Sequence, residues 1–312
     1  MAKAEATGRC RILTETQVLR IDTDTLSNAT RLLCADRGGT RFWIPLRQLI
    51  LAAGAIETPR LLLASAAAHA PRGIGNEHGQ VGRNLLETIS WVSTAMAPMN
   101  LRSFAGLPAD AICWDFNRPD SIPGLVGGCR FSSAVQEMLL VGPISYAQRI
   151  TPGWGQAHKQ ALRRNLGAAV SIGAIGESLP NRETFVDLDP AEKDANDLPL
   201  ARIHSHLDEA AVSRLRFMAD HCRKVLHAAG CEHLVEETGT YDQFSSTHVF
   251  GTCRMGLSAN DSVCDGHARL HGYSNIHVCD ASLLPSSGGG ESPSLTVQAV
   301  TLRAMAQLAR HL

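Results

Sequence analysis

Residues 49–65 have the sequence LILAAGAIETPRLLLAS, and this stretch decides the class of the fold. Its apolar start is typical of a strand that is buried on both faces. Gly54 ends that run, and Glu57-Thr58-Pro59 predicts a helix start, with Thr58 as the N-cap and Pro59 at the first helical position. This order of strand, small-residue turn and helix is the unit of α/β folds and can place a helix N-terminus against an anion. An ordinary turn without a ligand is the simpler interpretation.

The preceding residues predict a small antiparallel meander. Residues 10–24 mix β-branched and apolar residues with polar ones, as a strand does. Residues 31–37 and 40–46 flank Gly38-Gly39, which predicts a tight hairpin with a type I′ turn, because both central positions of that turn need positive φ.

Three further elements stand out along the chain. Residues 208–229 have apolar side chains at helical spacing, with Asp208 as a candidate N-cap. Residues 276–279 predict a short strand. After a glycine-rich run, Ser292 and Pro293 predict the N-cap and first residue of a terminal helix.

Composition excludes several classes of function. The 312 residues contain 29 basic and 30 acidic residues, so the net charge of −1 argues against nucleic acid as a partner. The apolar stretches are too short to span a bilayer, which predicts no transmembrane segment. The nine cysteines form no C-x-x-C pair and the histidines fit no standard zinc spacing, so we predict no metal site and a reducing compartment.

The chain contains no G-x-G-x-x-G, P-loop or G-x-S-x-G motif. However, residues 49–65, followed by GIGNEHGQVGRNL at 73–85, resemble the glucose–methanol–choline (GMC) flavoprotein oxidoreductases. HVFGTCRMG at 248–256 and VCDASLLPSSGGGESPSLTVQA at 278–299 resemble the same family, in the same order. The resemblance is thin across residues 90–240.

The resemblance implies that the reaction is the oxidation of an alcohol, with hydride transfer to N5 of FAD. It implies that His248 faces the flavin and accepts the hydroxyl proton. A histidine suits this role because small environmental shifts place its pKa near the operating pH. Without that context, a loop histidine with a backbone hydrogen bond would be the simpler interpretation. Thr88 departs from the pattern, since the family often has histidine there.

The resemblance also places the start of the terminal helix, with Pro293, Ser294 and Leu295, at the N1–C2=O edge of the flavin. A helix N-terminus offers unpaired N–H groups and a partial positive charge to that edge. Ser292 occupies the position where the family usually has Asn or His beside the catalytic histidine. Serine is shorter and is no general base without help, so His248 acts alone, Glu291 substitutes, or activity is altered.

For the nucleotide half of FAD, the resemblance implies three contact regions. Val18 would bind adenine through its backbone, and Ala53 and Gly54 would let the chain pass close to the dinucleotide. Asp280 and Ala281 would approach the ribityl or phosphate region. A strand-end carboxylate that caps a local turn is the alternative interpretation of Asp280.

We therefore expect an α/β fold, with an α+β substrate domain. Residues 1–87 and 245–312 would form an incomplete, Rossmann-like FAD-binding domain, and residues 88–244 an inserted substrate-binding sheet domain. Family members begin with a G-x-G-x-x-G unit that this sequence lacks. Three explanations are open: a second polypeptide that carries the missing FAD-binding segment, a truncated product of a longer gene, or a protein that has lost FAD.

The leading expectation is an FAD-dependent oxidoreductase that acts on the CH–OH group of a small alcohol, polyol or sugar. The alternative is a degenerate, flavin-free α/β protein with a binding role and no catalysis. We expect it in the cytoplasm, with a periplasmic or secreted origin open because a leader could have preceded the sequence.

Overall fold

The computed structural model describes residues 2–25, 27–105, 111–242 and 248–310. The described helices are α1 (Ala2–Glu5), α2 (Gly54–Ala64), α3 (Pro143–Ser145), α4 (Gly155–Asn165), α5 (Glu209–Ala228) and α6 (Ser294–Leu308), with a π-helical turn at Tyr146–Ile150 and a 3₁₀ turn at Ala281–Leu283. The described strands are β1 (Thr16–Thr23), β2 (Ala29–Asp36), β3 (Arg41–Pro45), β4 (Leu49–Leu51), β5 (Leu86–Glu87), β6 (Ile89–Met96), β7 (Ile112–Cys113), β8 (Cys129–Ser133), β9 (Ala169–Gly176), β10 (Phe185–Lys193), β11 (Pro199–His204), β12 (His233–Gly239), β13 (Val249–Phe250) and β14 (Ile276–Val278).

The predicted meander is confirmed, because β1, β2 and β3 form one antiparallel sheet in sequence order. The predicted type I′ turn is wrong. Of the two glycines, Gly39 alone has positive φ, at +80°. Its N–H donates to the carbonyl of Asp36 over 2.9 Å, and the backbone and carboxylate of Asp36 also bond Thr40. The hairpin is therefore closed by a turn with one left-handed glycine, which needs a longer loop than type I′.

Strands β4 and β14 form a parallel pair, with Leu49 opposite Ile276 and Leu51 opposite Val278. These four side chains belong to one buried cluster together with Leu62 of α2. Burying a side chain of this size contributes roughly 1.5–3 kcal/mol, so this cluster is a main source of stability. The strand predicted from the apolar run is confirmed.

The predicted start of α2 is wrong by five residues, since the sequence predicts Pro59 as the first helical residue and Gly54 is observed. The helix begins at Gly54, with φ of +86°, and contains Pro59 in its interior. A proline lacks the N–H that would bond the carbonyl four residues earlier, here that of Ala55. The hydroxyl of Thr252 donates to this carbonyl over 2.6 Å instead. A residue from a distant segment thus satisfies the helix where proline interrupts it.

The central part of the chain, residues 88–242, contains a five-stranded antiparallel sheet in the order β12-β6-β9-β8-β7. Helix α5 packs across it through Leu215, Met218 and Cys222, which are fully buried. The predicted helix is confirmed, including its cap, because the Asp208 carboxylate accepts from the N–H of Ala211. This sheet lies inside the range expected for a substrate domain.

The β10–β11 hairpin falls in the same range but packs on the flanking parts of the chain. Arg60 of α2 donates to the carboxylate of Asp194 over 2.7 Å and to the carbonyl of Pro199 over 2.7 Å. Burial alone would raise the pKa of Asp194, but hydrogen bonds from Arg60 and Gln17 lower it to about 2. The expected boundary at 244/245 lies outside the described residues.

Helix α6 begins at Ser294, with Pro293 as its N-cap residue and no side-chain cap. The prediction of Ser292 as N-cap is therefore wrong. Val300 and Met305 pack against the cluster around β4 and β14. Within the described parts of the chain, no helix is both long and apolar enough to cross a membrane.

Candidate functional site

Asp280, directly after β14, links the starts of two helical segments. Its buried carboxylate accepts from the N–H of Gly54 over 3.0 Å and from the Thr58 hydroxyl over 2.6 Å. It also accepts from the N–H of Ser282 over 2.8 Å, which caps the 3₁₀ turn. A carboxylate at a helix N-terminus is stabilised by the exposed N–H groups and the helix dipole. Asp280 therefore caps the local turn, while its predicted approach to FAD stays a prediction.

These contacts bring two of the sequence-predicted cofactor residues, Gly54 and Asp280, into direct contact. Thr58, predicted as an N-cap, contributes as a donor to Asp280 and as an acceptor from the N–H of Ala53 over 3.2 Å. Ala281 packs beside Phe250, at the edge of a separate small cluster. The N-terminus of α2 thus already has an anion, supplied by the protein itself.

An open cleft of about 400 Å³ lies beside this turn. Val18 of β1 and Ala53 both line it, together with Ile50, whose side chain is 46% exposed. A Cβ added to Gly54 would meet no atom within 4 Å. The backbone of the turn is therefore open to the approach of a ligand, which fits the predicted dinucleotide path.

His248 is held by its main chain. The strand β13 that follows it pairs with β5, and the carbonyl of His248 accepts from the N–H of Thr88 over 3.3 Å. Its ring is partly buried, and Nδ1 has no hydrogen-bond partner among the described residues. Burial, and then the positive charge of Arg130, lower the pKa of His248 below its usual 6.5. The ring is therefore neutral at pH 7 and able to accept a proton.

Arg130 of β8 and Glu291 form the second half of this cluster. Nε of Arg130 lies 3.1 Å from Oε1 of Glu291, so the two side chains form an ion pair. The N–H of Nε is not aligned for a hydrogen bond to that oxygen. Burial raises the pKa of Glu291, and Arg130 opposes this shift. The sequence contains no signal for Arg130, and it suggests Glu291 only as a substitute for Ser292.

The glycine-rich run before Glu291 is held beside the central sheet by hydrogen bonds. Asn117 donates to the carbonyl of Gly289 over 3.2 Å, and the Ser287 hydroxyl accepts from the N–H of Ser178 over 3.0 Å. Gly290 has φ of +83°, and a Cβ there would collide with the carbonyl of Ile175 in β9. This close approach brings Glu291 to Arg130.

The residues at the start of α6 are exposed. The hydroxyls of Ser292 and Ser294 lie 3.3 Å apart, and Leu295 is 79% exposed. Pro293 precedes the helix with helical dihedral angles. Among the described residues, no hydrogen bond joins Ser292 to His248, and the catalytic pairing of the two side chains stays a prediction.

The other residues of HVFGTCRMG have a structural role, through backbone hydrogen bonds and close packing. The N–H of Cys253 donates to the carbonyl of Ser282 over 3.0 Å, and that of Met255 to the carbonyl of Leu283 over 2.9 Å. Gly251 has φ of +88°, and a Cβ there would collide with the carbonyl of Asn84. The motif therefore holds the Asp280 turn against α2. Within the motif, His248 is the residue with a predicted catalytic role.

Comparison with known proteins agrees with this geometry. Residues 2–89 and 180–301 match the N-terminal and C-terminal family models of GMC oxidoreductase. The chain is 29% identical to 2-methyl-1,2-propanediol dehydrogenase from Mycolicibacterium austroafricanum, over 86% of this chain and 49% of the relative. It is 30% identical to paromamine 6'-oxidase from Streptomyces fradiae, over 93% of this chain and 50% of the relative.

Solved structures share the fold. Pyridoxine 4-oxidase from Mesorbium loti matches with a TM-score of 0.58 and 18% identity, over 95% of this chain and 57% of that one. An FAD-dependent oxidoreductase from Chaetomium thermophilum matches with a TM-score of 0.64 and 14% identity, over 100% of this chain and 64% of that one. The chain spans about half the length of the curated relatives it matches. The mixed helices and strands are those of an α/β fold, and the chain belongs to the GMC oxidoreductase family.

Proposed function

We propose that this chain acts in an FAD-dependent oxidoreductase that oxidises the CH–OH group of an alcohol, polyol or sugar. One observation carries the proposal: Nδ1 of His248 is buried without a hydrogen-bond partner in the described structure, close to the Arg130–Glu291 ion pair. Buried polar atoms are nearly always paired, so an unpaired imidazole nitrogen is typical of a site that pairs with a ligand.

The residues around the cleft fit the nucleotide half of FAD. Val18 and Ala53 line the cleft, and Gly54 leaves its backbone uncovered. Asp280 and Ala281 would hold the ribityl or phosphate region from the adjoining turn. Since the Asp280 carboxylate already accepts three hydrogen bonds, we propose that it acts mainly by fixing the backbone of Gly54.

The start of α6 fits the flavin half. Pro293, Ser294 and Leu295 lie at an exposed helix N-terminus without a side-chain cap. Its free N–H groups and partial positive charge would stabilise negative charge on the ring. Ser292 would contribute a hydroxyl to the substrate end of the same turn. When bound, FAD would accept the hydride from the substrate carbon.

His248 would accept the hydroxyl proton of the substrate at a ring nitrogen. This requires the neutral ring, and both burial and Arg130 favour it because they lower the pKa of His248. Glu291 would hold Arg130 in place, since the two charges are 3.1 Å apart. The chain's own residues thus provide a proton acceptor that works at neutral pH.

The partners and the compartment are part of the proposal. The chain corresponds to about half of each curated relative, and one relative is named fructose dehydrogenase large subunit from Gluconobacter japonicus. We infer that a glycine-rich FAD-binding segment, in a longer chain or in a second polypeptide, completes the cofactor site. All nine cysteines are free, which supports a reducing, cytoplasmic setting.

The test combines spectroscopy with a matched pair of variants. The purified chain, with FAD and with any segment encoded upstream, is expected to show a flavin absorption spectrum that bleaches with an alcohol or sugar substrate. His248→Ala is expected to lower the rate by about 10²–10⁴-fold, the usual contribution of a general base. His78→Ala, which changes an exposed histidine, serves as the control.

Failure to bind flavin under all these conditions would favour the alternative, a flavin-free binding protein. If flavin binds but His248→Ala loses less than about tenfold, FAD chemistry would stand and the role of His248 would not.

A further inference from the structure

A second cavity of about 340 Å³ lies between β14 and the last turn of α6. His277, the middle residue of β14, lines it together with Gln48 and Arg269. Ala304 and Leu308 of α6 form its apolar wall. None of these residues takes part in the proposed catalytic site.

Two of the residues that line this cavity each have a buried polar atom without a partner. The side chain of His277 belongs to a residue that is only 6% exposed, and its Nδ1 has no hydrogen-bond partner among the described residues. Oε1 of Gln48 is buried without a partner in the same part of the structure. Two unpaired polar atoms in one cavity indicate a place for a ligand that forms hydrogen bonds.

The charges around the cavity argue against an anionic ligand. The guanidinium of Arg269 lies 3.2 Å from the carboxylate of Asp265, which neutralises it. The C-terminal end of α6 carries partial negative charge and disfavours an anion. Burial, and then Arg269, lower the pKa of His277, while Asp265 opposes this. The imidazole is therefore neutral at pH 7.

We propose that this cavity binds a small uncharged compound with several hydroxyl groups. A hydroxyl donates and accepts, so one can donate to Oε1 of Gln48 and another can pair with Nδ1 of His277 in either tautomer. Ala304 and Leu308 would cover the C–H face of the same molecule. The cavity lies within the usual size range of small-molecule sites.

The test uses the full 312-residue chain with xylitol as the probe. Two-dimensional ¹H–¹⁵N spectra of the histidine side chains report on His277 without any need for enzyme activity. We expect a saturable shift of the His277 ring nitrogens with xylitol and none with inorganic phosphate. Gln48→Leu is expected to weaken binding by about tenfold, as loss of a buried hydrogen bond does, and His78→Ala to leave it unchanged.

A thermal unfolding curve for Gln48→Leu shows whether the variant is folded, and Gln48→Met, which keeps the length of the side chain and the His277 signal, offers a second variant if it is not. No saturable shift with xylitol means that the cavity holds only water and overturns the proposal. A shift with phosphate alone overturns the class of ligand. Equal xylitol affinity in a folded Gln48→Leu and in the unchanged chain overturns the site.

Discussion

Two groups of polar side chains, around Asp280 and around His248, differ in whether their hydrogen bonds are filled. The Asp280 carboxylate accepts three hydrogen bonds from within the chain. Around His248, by contrast, Nδ1 of the ring has no hydrogen-bond partner in the described structure, and Arg130 and Glu291 form an ion pair whose facing atoms are not aligned for a hydrogen bond. Asp280, His248 and Glu291 lie in motifs of the same family, whereas Arg130 lies in none of them.

The difference separates a structural from a chemical role. A filled set of hydrogen bonds stabilises the turn that it joins, and its loss leaves buried donors unpaired. Buried polar atoms without hydrogen-bond partners lower stability, and they are found where a ligand or a reaction needs them. We therefore expect changes at Asp280 to act on folding, and changes around His248 to act on the proton chemistry.

The largest effect on folding is expected for Asp280→Ala. The change leaves the N–H of Gly54, the N–H of Ser282 and the hydroxyl of Thr58 without their acceptor. We expect the free energy of unfolding to fall by about 3 kcal/mol, since each unpaired buried group costs about 1–3 kcal/mol and neighbours are not additive. Urea unfolding of the chain without FAD measures it.

Asp280→Asn is the matched control, because it keeps one acceptor oxygen and the shape of the side chain. It is expected to be destabilised less than Asp280→Ala. A loss below about 1 kcal/mol in Asp280→Ala would contradict the structural role and return Asp280 to a purely ligand-binding one.

A smaller effect is expected from Arg130→Gln, and it concerns the pH dependence of kcat/KM. Removal of the positive charge raises the pKa of His248, although burial still holds it down. The protonated ring cannot accept a proton, so the acid limb of the kcat/KM profile should move to higher pH. NMR titration of the His248 ring measures the same shift without substrate.

Arg202→Gln is the control for this measurement, since Arg202 pairs with Asp187 on the β10–β11 hairpin. It should leave the titration of His248 unchanged. An unshifted titration in Arg130→Gln would separate Arg130 from His248 and limit it to holding Glu291.

The smallest effect is expected for Ser292→Ala. Its side chain is exposed and caps no helix, so the free energy of unfolding should change by no more than about 0.5 kcal/mol. Thermal unfolding at fixed pH measures it. A loss of about 1 kcal/mol or more, the usual cost of removing an N-cap, would show that the serine caps α6 after all.

Several strands and helices are predictable from the sequence because the patterns that specify them are local. The apolar runs predict β4 and β14, and helical spacing with Asp208 predicts α5 and its cap. The GMC motifs predict the family, which the family comparison confirms. The roles of the ten predicted site residues stay predictions, although Gly54 and Asp280 meet and Val18 and Ala53 share one cleft.

Only the tertiary structure decided where α2 and α6 begin and which groups meet at the site. Local rules favour Thr58 and Ser292 as caps, because hydroxyl residues before proline are common there. Instead, α2 begins at Gly54, where its N–H reaches a carboxylate 226 positions away in the chain. Arg130 reaches Glu291 only because the glycine-rich run lies on the central sheet. Sequence periodicity reflects short-range geometry, whereas these partners come from segments that only the folded chain brings together.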